Sequence, residues 1–204
     1  MLAILLLAAG ASSRMGGTDK LLEKLDGEPL VRRMARHALA SGLPLWVALP
    51  KAPHPRHGAL DDLPLTPVEV ADAAMGMAHS IRAGIAALPA HCEAVMILPA
   101  DMPELDTGDL ARMQAAWRAA PEGTTLRATG ADGRPGHPVI FPACLFPSLA
   151  ALSGDRGARA LLDDPARQLR LVALPGRHAL TDLDTPEDWA RWRALRRSAE
   201  DPRR

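Results

Sequence analysis

An uninterrupted apolar run near the start of the chain, Leu2–Leu7, restricts the available folds more than any other feature. A strand without a polar face must be covered on both sides, as in a parallel sheet with helices on its two faces. The run resembles the core of a signal peptide, but the first basic residue, Arg14, lies behind it, and it is too short to span a bilayer. We therefore expect a buried first strand.

Strand and helix patterns alternate after this run, which over the first 120 residues indicates right-handed βαβ units. Residues 50–67 carry five prolines and are predicted to form a loop. The predicted fold is a single Rossmann-like α/β domain, residues 1–196, with a mostly parallel sheet flanked by helices and a polar, frayed tail at 197–204. Further strands are predicted at Leu45–Leu49, Val68–Val70, Ala94–Leu98, Thr124–Ala128, Pro138–Phe141 and Gln168–Ala173, and helices at 29–42, 77–88, 107–117, 156–162 and 185–195. Pro29 is predicted as the first residue of its helix, Thr107 as an N-cap, and Thr185 with Asp188 as a capping box.

Composition limits the partners. Lys+Arg and Asp+Glu both number 24, so the net charge is zero and nothing favours general binding to nucleic acid or to an acidic membrane. The two cysteines, Cys92 and Cys144, have no metal-ligand spacing, which favours a cytoplasmic location. A polyanionic ligand would have to bind at a local site.

The loop after the first strand suits such a ligand. Small residues at Ala8, Ala9 and Gly10 allow backbone N–H groups to approach an anion, and Arg14 and Lys20 add positive charge. A solvated loop with ordinary surface charges is the structural alternative.

Two common phosphate loops are excluded by spacing. The dinucleotide motif GxGxxG needs a glycine where Ser12 stands, and the P-loop needs four residues between its glycines, whereas five separate Gly10 from Gly16. Neither a Rossmann dehydrogenase nor a P-loop kinase is supported.

Asp101 follows the apolar segment Ala94–Leu98, at the predicted carboxyl end of a strand, where ligands bind in open α/β sheets. Mg²⁺ prefers one or two carboxylates together with phosphate oxygens. On these residues alone, an aspartate in a turn before a proline is an equal alternative.

The loop at residues 7–22, which reads LAAGASSRMGGTDKLL, resembles the signature loop of the molybdopterin nucleotidyltransferases, in the NTP-transferase superfamily. This family includes molybdenum cofactor cytidylyltransferase and guanylyltransferase. Later segments resemble its other motifs in the same order: 76–84, 98–103, 136–139, 154–159 and 182–188.

The resemblance implies a fold of the nucleotide-diphospho-sugar transferase type and Mg²⁺-dependent transfer of CMP from CTP to Mo-molybdopterin, with release of pyrophosphate. It implies catalytic roles for Arg14, Lys20 and Asp101, and Mg²⁺ ligation by Asp101 and Asp184. The nucleotide would contact Leu7, Ala8, Ala9, Gly10, Arg14, Lys20, Asp72 and Ser80, and the acceptor would contact His137, Asp155 and Arg159. Asp155 and Arg159 also suit an ion pair at a helix start, and Asp184 a helix N-terminus.

Three alternatives stay open at this point. The three residues between Gly16 and Lys20 are typical of the guanylyl branch, which uses GTP, whereas Ala9 and the motifs at 136–139 and 154–159 favour the cytidylyl branch. A non-catalytic member of the fold would bind the nucleotide without transferring it. A delivery protein would have a molybdoenzyme or its chaperone as a partner.

Overall fold

The computed structural model describes residues 1–153, 158–164 and 167–200. Within these residues, nine strands alternate with seven α-helices. The strands are β1 (Leu2–Leu7), β2 (Lys24–Leu25), β3 (Glu28–Pro29), β4 (Leu45–Pro50), β5 (Thr66–Val70), β6 (Ala94–Pro99), β7 (Thr125–Thr129), β8 (Pro135–Pro142) and β9 (Leu169–Ala173). The helices are α1 (Leu30–Ala40), α2 (Pro55–Gly58), α3 (Met77–Ala87), α4 (Thr107–Arg118), α5 (Phe146–Ala150), α6 (Arg159–Leu162) and α7 (Pro186–Glu200).

Seven strands form one sheet in the order β5-β4-β1-β6-β8-β7-β9, and β2 pairs with β3 in a small separate hairpin. The neighbours β5/β4, β4/β1, β1/β6 and β7/β9 are parallel, whereas β8 is antiparallel to both β6 and β7. The antiparallel pairing follows from the short turn between β7 and β8, because parallel neighbours need a long crossover. The predicted single α/β fold with a mostly parallel, helix-flanked sheet is confirmed.

The first strand lies at the centre of this sheet, as its composition predicts. Ile4 and Leu6 pack into the core on one face, and Leu5 packs into the core on the other. On the Leu5 side, α3 approaches β1 so closely that a Cβ added to Gly84 would lie 2.3 Å from Leu5 Cδ2. This close contact places the start of α3 beside the loop that follows β1.

Helix α7 packs on the face of the sheet that contains Ile4 and Leu6. Trp189 and Trp192 are buried there, with their rings in an edge-to-face arrangement and centroids 6.3 Å apart. The predicted capping box is present, because Thr185 and Asp188 exchange hydrogen bonds at the helix start. The helix continues to Glu200, four residues past the predicted end of the domain.

Three local predictions differ from the structure. The predicted loop at residues 50–67 contains α2, and Pro29 is the N-cap of α1 rather than its first residue. The N-cap of α4 is Asp106 and not Thr107, because Asp106 and Asp109 form a capping box. Across the described part of the chain, no helix has the length and apolar character needed to cross a membrane.

Candidate active site

A cleft of about 660 Å³ opens where β1 and β6 end. The loop after β1 forms one part of its wall, and the first turn of α3, the start of β8 and the segment before α7 form the rest. Its lining includes Leu7, Ala9, Gly10, Ala11, Ser12, Ser13, Arg14, Lys20, Gly76, Met77, Ser80, Asp101, Arg127, Gly136, His137, Ala179, Leu180, Asp182 and Asp184.

Most of the residues predicted for the site line this cleft: Leu7, Ala9, Gly10, Arg14, Lys20, Ser80, Asp101, His137 and Asp184. Ala8 lies just beneath it, fully buried. Asp72 is exposed outside the lining, at the start of a short 3₁₀ helix. Arg159 is also exposed and forms an ion pair with Asp163 instead of facing the cleft, whereas Asp155 lies outside the described residues.

The loop after β1 is folded tightly. Ser12 adopts a left-handed conformation, with φ of 51°, before a short 3₁₀ helix at Ser13–Met15. Gly16 and Gly17 then have φ of 61° and 96°, which glycine adopts without strain. The two glycines therefore let the chain turn back towards Lys20 without strain.

A buried arginine holds this loop from beneath. Arg56 of α2 is 1% exposed, and its guanidinium donates to both carboxylate oxygens of Asp19, each at 2.7 Å. It also donates to the carbonyl oxygen of Ala8 at 2.6 Å and to Ser12 Oγ at 3.1 Å. One side chain thus connects the beginning and the end of the loop.

Asp19 is ionised in this arrangement. Burial raises the pKa of its carboxyl group, but the hydrogen bonds and the charge of Arg56 outweigh burial and lower the pKa. The same carboxylate accepts a hydrogen bond from the Leu21 backbone N–H at 3.0 Å. The residues on both sides of Lys20 are therefore fixed.

Lys20 joins the loop to two carboxylates from distant parts of the chain. Its Nζ lies 2.5 Å from Asp101 Oδ2 and 2.6 Å from Asp184 Oδ1. Arg14 binds the other oxygen of Asp184 at 2.5 Å. Burial lowers the pKa of Lys20, but the two carboxylates outweigh it and raise the pKa, so the side chain is charged.

The positions of Asp101 and Asp184 fit a single cation. Asp101 follows β6, Asp184 precedes α7, and the backbone N–H of Leu183 donates to the Asp101 carbonyl at 3.0 Å. Because both carboxylates already converge on one ammonium nitrogen, the same oxygens can hold one divalent cation. Asp182 lies beside them, and burial followed by the charges of Asp101 and Asp184 raises its pKa.

The start of β8 forms another part of the wall. A Cβ added to Gly136 would lie 1.8 Å from the Ala179 carbonyl oxygen, so only glycine fits there. The His137 backbone N–H donates to that carbonyl at 2.9 Å, and Arg127 Nε donates to the Gly136 carbonyl at 3.2 Å. Burial, followed by the charge of Arg127, lowers the pKa of His137 to about 4, so its imidazole is neutral at neutral pH.

Sequence patterns did not reveal Arg56 or Arg127. Arg56 stands in the proline-rich segment with no periodicity, where an arginine is normally a solvated side chain. Arg127 lies inside a short strand whose other residues are buried, and this placement is a weak signal that its charge has a buried or ligand-facing role.

Asp106, Asp109 and His178 form a separate group of metal-ligating side chains outside this cleft. Their hydrogen bonds explain the group without an ion. The two aspartates form the capping box of α4, and His178 Nδ1 lies 2.7 Å from Asp109 Oδ2.

Comparisons with known proteins identify the family of the chain. Residues 4–171 match the model of the MobA-like NTP transferase domain. The chain is 31% identical over 195 residues to the purine catabolism protein PucB of Bacillus subtilis, covering 90% of this chain and 91% of that protein. It is 32% identical over 196 residues to a molybdenum cofactor guanylyltransferase of Cereibacter sphaeroides, covering 95% and 96%.

A solved structure agrees with these matches. The crystal structure of Rv0371c from Mycobacterium tuberculosis H37Rv superimposes with a TM-score of 0.81 at 25% identity, over 94% of this chain and 96% of that one. The family model spans both the signature loop and the β6 turn that carries Asp101. The chain therefore belongs to the MobA-like NTP transferase domain family and has its nucleotidyltransferase fold.

Proposed function

We propose that this protein transfers a nucleoside monophosphate from a nucleoside triphosphate to Mo-molybdopterin, with Mg²⁺ as the metal and pyrophosphate as the second product. The observation that carries the proposal is the convergence of Lys20 on Asp101 and Asp184 at the end of the signature loop. Cations that suit phosphate oxygens and carboxylates that suit a divalent metal share one cleft.

The reaction is an in-line displacement at the α-phosphorus. A phosphate oxygen of the acceptor forms a new bond to that phosphorus, and the bond to the β-phosphate oxygen breaks, so pyrophosphate leaves with the electron pair. The protein supplies no nucleophile. Its contribution is to position the reactants and to neutralise charge.

Several residues have proposed tasks in this step. Backbone N–H groups around Ala9 and Gly10 would contact the nucleotide, and Arg14 and Lys20 would hold the β- and γ-phosphates. Asp101 and Asp184 would hold Mg²⁺, which neutralises charge on the phosphates when it is bound.

The names of the relatives support GTP better than CTP as the nucleotide substrate. We therefore propose GTP as the first candidate nucleotide. CTP is the second, because Ala9, a buried residue of the cleft lining, stands where the guanylyl branch typically has glycine. We also propose a single domain over residues 1–196, a cytoplasmic location, and a molybdoenzyme or its chaperone as recipient of the product.

The test is incubation of the purified protein with Mg²⁺, Mo-molybdopterin and each nucleoside triphosphate in turn, with pyrophosphate and the dinucleotide product both measured. Asp101→Asn should cut turnover at least about tenfold without unfolding the protein, since a metal ligand typically contributes several kcal/mol to the transition state. Asp132→Asn is the matched control, because Asp132 is exposed in the turn between β7 and β8. Absence of a dinucleotide product with all four nucleotides would reject the proposed function.

A further inference from the structure

The order of strands across the sheet divides the cleft into two sides. β6 lies between β1 and β8, so the turn carrying Asp101 separates the signature loop from the β8 side. Ile97 of β6 pairs with Val139 of β8, and continuation of this antiparallel register sets His137 beside the end of β6. If the nucleotide occupies the signature loop, the second reactant must approach Asp101 from the β8 side.

The positively charged side chain of Arg127 lines the cleft on this β8 side. Arg127 Nε is used by the Gly136 carbonyl, but among the described residues neither terminal nitrogen of its guanidinium has a hydrogen-bond partner. Burial lowers the pKa of Arg127; the charge of Asp163 opposes this and the charge of Arg159 adds to it, and the net shift is downward. A partly desolvated guanidinium with two unused nitrogens in a cleft is suited to bidentate contact with a phosphate.

His137 adds a second polar group on the same side. Its Nδ1 is buried and has no hydrogen-bond partner among the described residues. Its backbone N–H donates to the Ala179 carbonyl, and the Gly136 backbone packs directly against the same carbonyl. A buried polar atom without a partner costs free energy, and His137 lines the same cleft as Arg127, where a ligand can supply a partner.

We infer that Arg127 and His137 bind the phosphomonoester of the acceptor and hold the attacking oxygen on the β8 side of Asp101. The inference rests on the proposed nucleotidyl transfer and adds Arg127, acting beside His137, as a residue that recognises the acceptor's phosphate. Arg127 neutralises the phosphate, and the neutral imidazole donates one hydrogen bond to it. The attacking oxygen forms its bond to the α-phosphorus while the pyrophosphate oxygen leaves.

The first experiment separates the two substrates kinetically. Arg127→Met should raise KM for Mo-molybdopterin at least about tenfold, the typical effect of losing a hydrogen bond to a charged group. The Kd for Mg²⁺-nucleotide, measured without acceptor, should stay within about twofold, because Arg127 lies outside the signature loop. Arg127→Lys should recover part of the acceptor KM, since it keeps the charge.

Arg134→Met is the control, because Arg134 is exposed in the neighbouring turn and pairs with Asp132. It should leave both constants unchanged. An acceptor KM for Arg127→Met equal to that of the wild type would overturn the inference, and so would an equal rise in the nucleotide Kd.

A second experiment does not require turnover. Inorganic phosphate, titrated into the wild-type protein, should shift the ring NMR signals of His137, which are assigned by their loss in His137→Asn. The shift should be absent in Arg127→Met and retained in Arg134→Met. No shift in the wild-type protein would overturn the phosphate subsite.

The two proposals fail in different ways. A phosphate-dependent shift at His137 without nucleotidyl transfer would retain the subsite and reject the proposed function. Transfer that proceeds with an unaltered acceptor KM in Arg127→Met would retain the function and reject the subsite.

Discussion

Arg56 and Asp19 form a bidentate ion pair beneath the signature loop, with both N···O distances at 2.7 Å. The arginine is buried and the aspartate is largely so. Asp19 precedes Lys20 in the chain, and neither Asp19 nor Arg56 lines the cleft, so the position of Lys20 depends on a contact outside the cleft.

Arg56→Met should lower the free energy of unfolding by about 3–5 kcal/mol, because it leaves the Asp19 carboxylate buried without its partner. Urea denaturation gives this value directly. Arg32→Met is the matched control, because Arg32 forms a comparable bidentate pair with Asp62 at the surface and should cost much less. Equal losses for the two variants would show that the Arg56 pair is no more than a surface contact.

Lys20→Met should destabilise the protein in metal-free buffer by about 1–3 kcal/mol, because Asp101 and Asp184 lose the cation that they share. Mg²⁺ should then raise the Tm of Lys20→Met more than that of the wild type, since the metal replaces the missing charge. Calorimetry with and without Mg²⁺ measures both effects, with the exposed Lys24→Met as the control. A Tm increase no larger than in the wild type would mean that the two carboxylates do not hold the metal.

His137 should make stability depend on pH in the acidic range. Its pKa is about 4 in the folded protein, below the ordinary value of about 6.5, so between these values only the unfolded chain binds the proton. The contribution of the neutral His137 to the free energy of unfolding is complete above about pH 6.5. It is lost as pH falls towards 4, and the loss reaches about 3 kcal/mol. The difference in unfolding free energy between wild type and His137→Asn, followed against pH, should show this slope.

His91→Asn provides the control for this measurement, because His91 is exposed in the loop before β6. It should keep the pH dependence of the wild type. A difference between wild type and His137→Asn that does not change with pH would contradict a neutral imidazole in the folded protein.

Ala9→Gly should raise kcat/KM for GTP relative to CTP by about tenfold, because removing the methyl widens the cleft near the base, and one methylene is typically worth about 1–3 kcal/mol of discrimination. Steady-state kinetics with both nucleotides measure the ratio. Ala11→Gly is the control, since Ala11 lines the same cleft but is exposed. An unchanged ratio would remove Ala9 from the account of nucleotide choice.

Much of the fold could be predicted because the apolar composition of the central strands indicates that both of their faces are buried. β1 and β6 are apolar along almost their whole length, and this pattern is typical only of strands covered on both faces. The direction of β8 could not be predicted in this way, because an apolar run is compatible with parallel and antiparallel neighbours alike.

The candidate site was predictable where one short segment carries several residues of it, as in the loop with Arg14 and Lys20. Contacts between distant segments leave no local pattern. Arg56 meets Asp19 across 37 residues of chain, and its burial depends on partners that its own neighbours do not reveal. Arg127 was missed for a different reason, since the cleft that its guanidinium lines forms only in the folded chain.

The bridge from Lys20 to Asp184 spans 164 residues, and this distance has a consequence for synthesis on the ribosome. The nascent chain can pair Lys20 with Asp101 long before Asp184 has been translated. The second carboxylate becomes available only after the segment before α7 has been synthesised, so the two carboxylates cannot share the Lys20 ammonium before that point. Any polypeptide that terminates before this segment would keep the signature loop but would lack one of the two carboxylates of the proposed metal site.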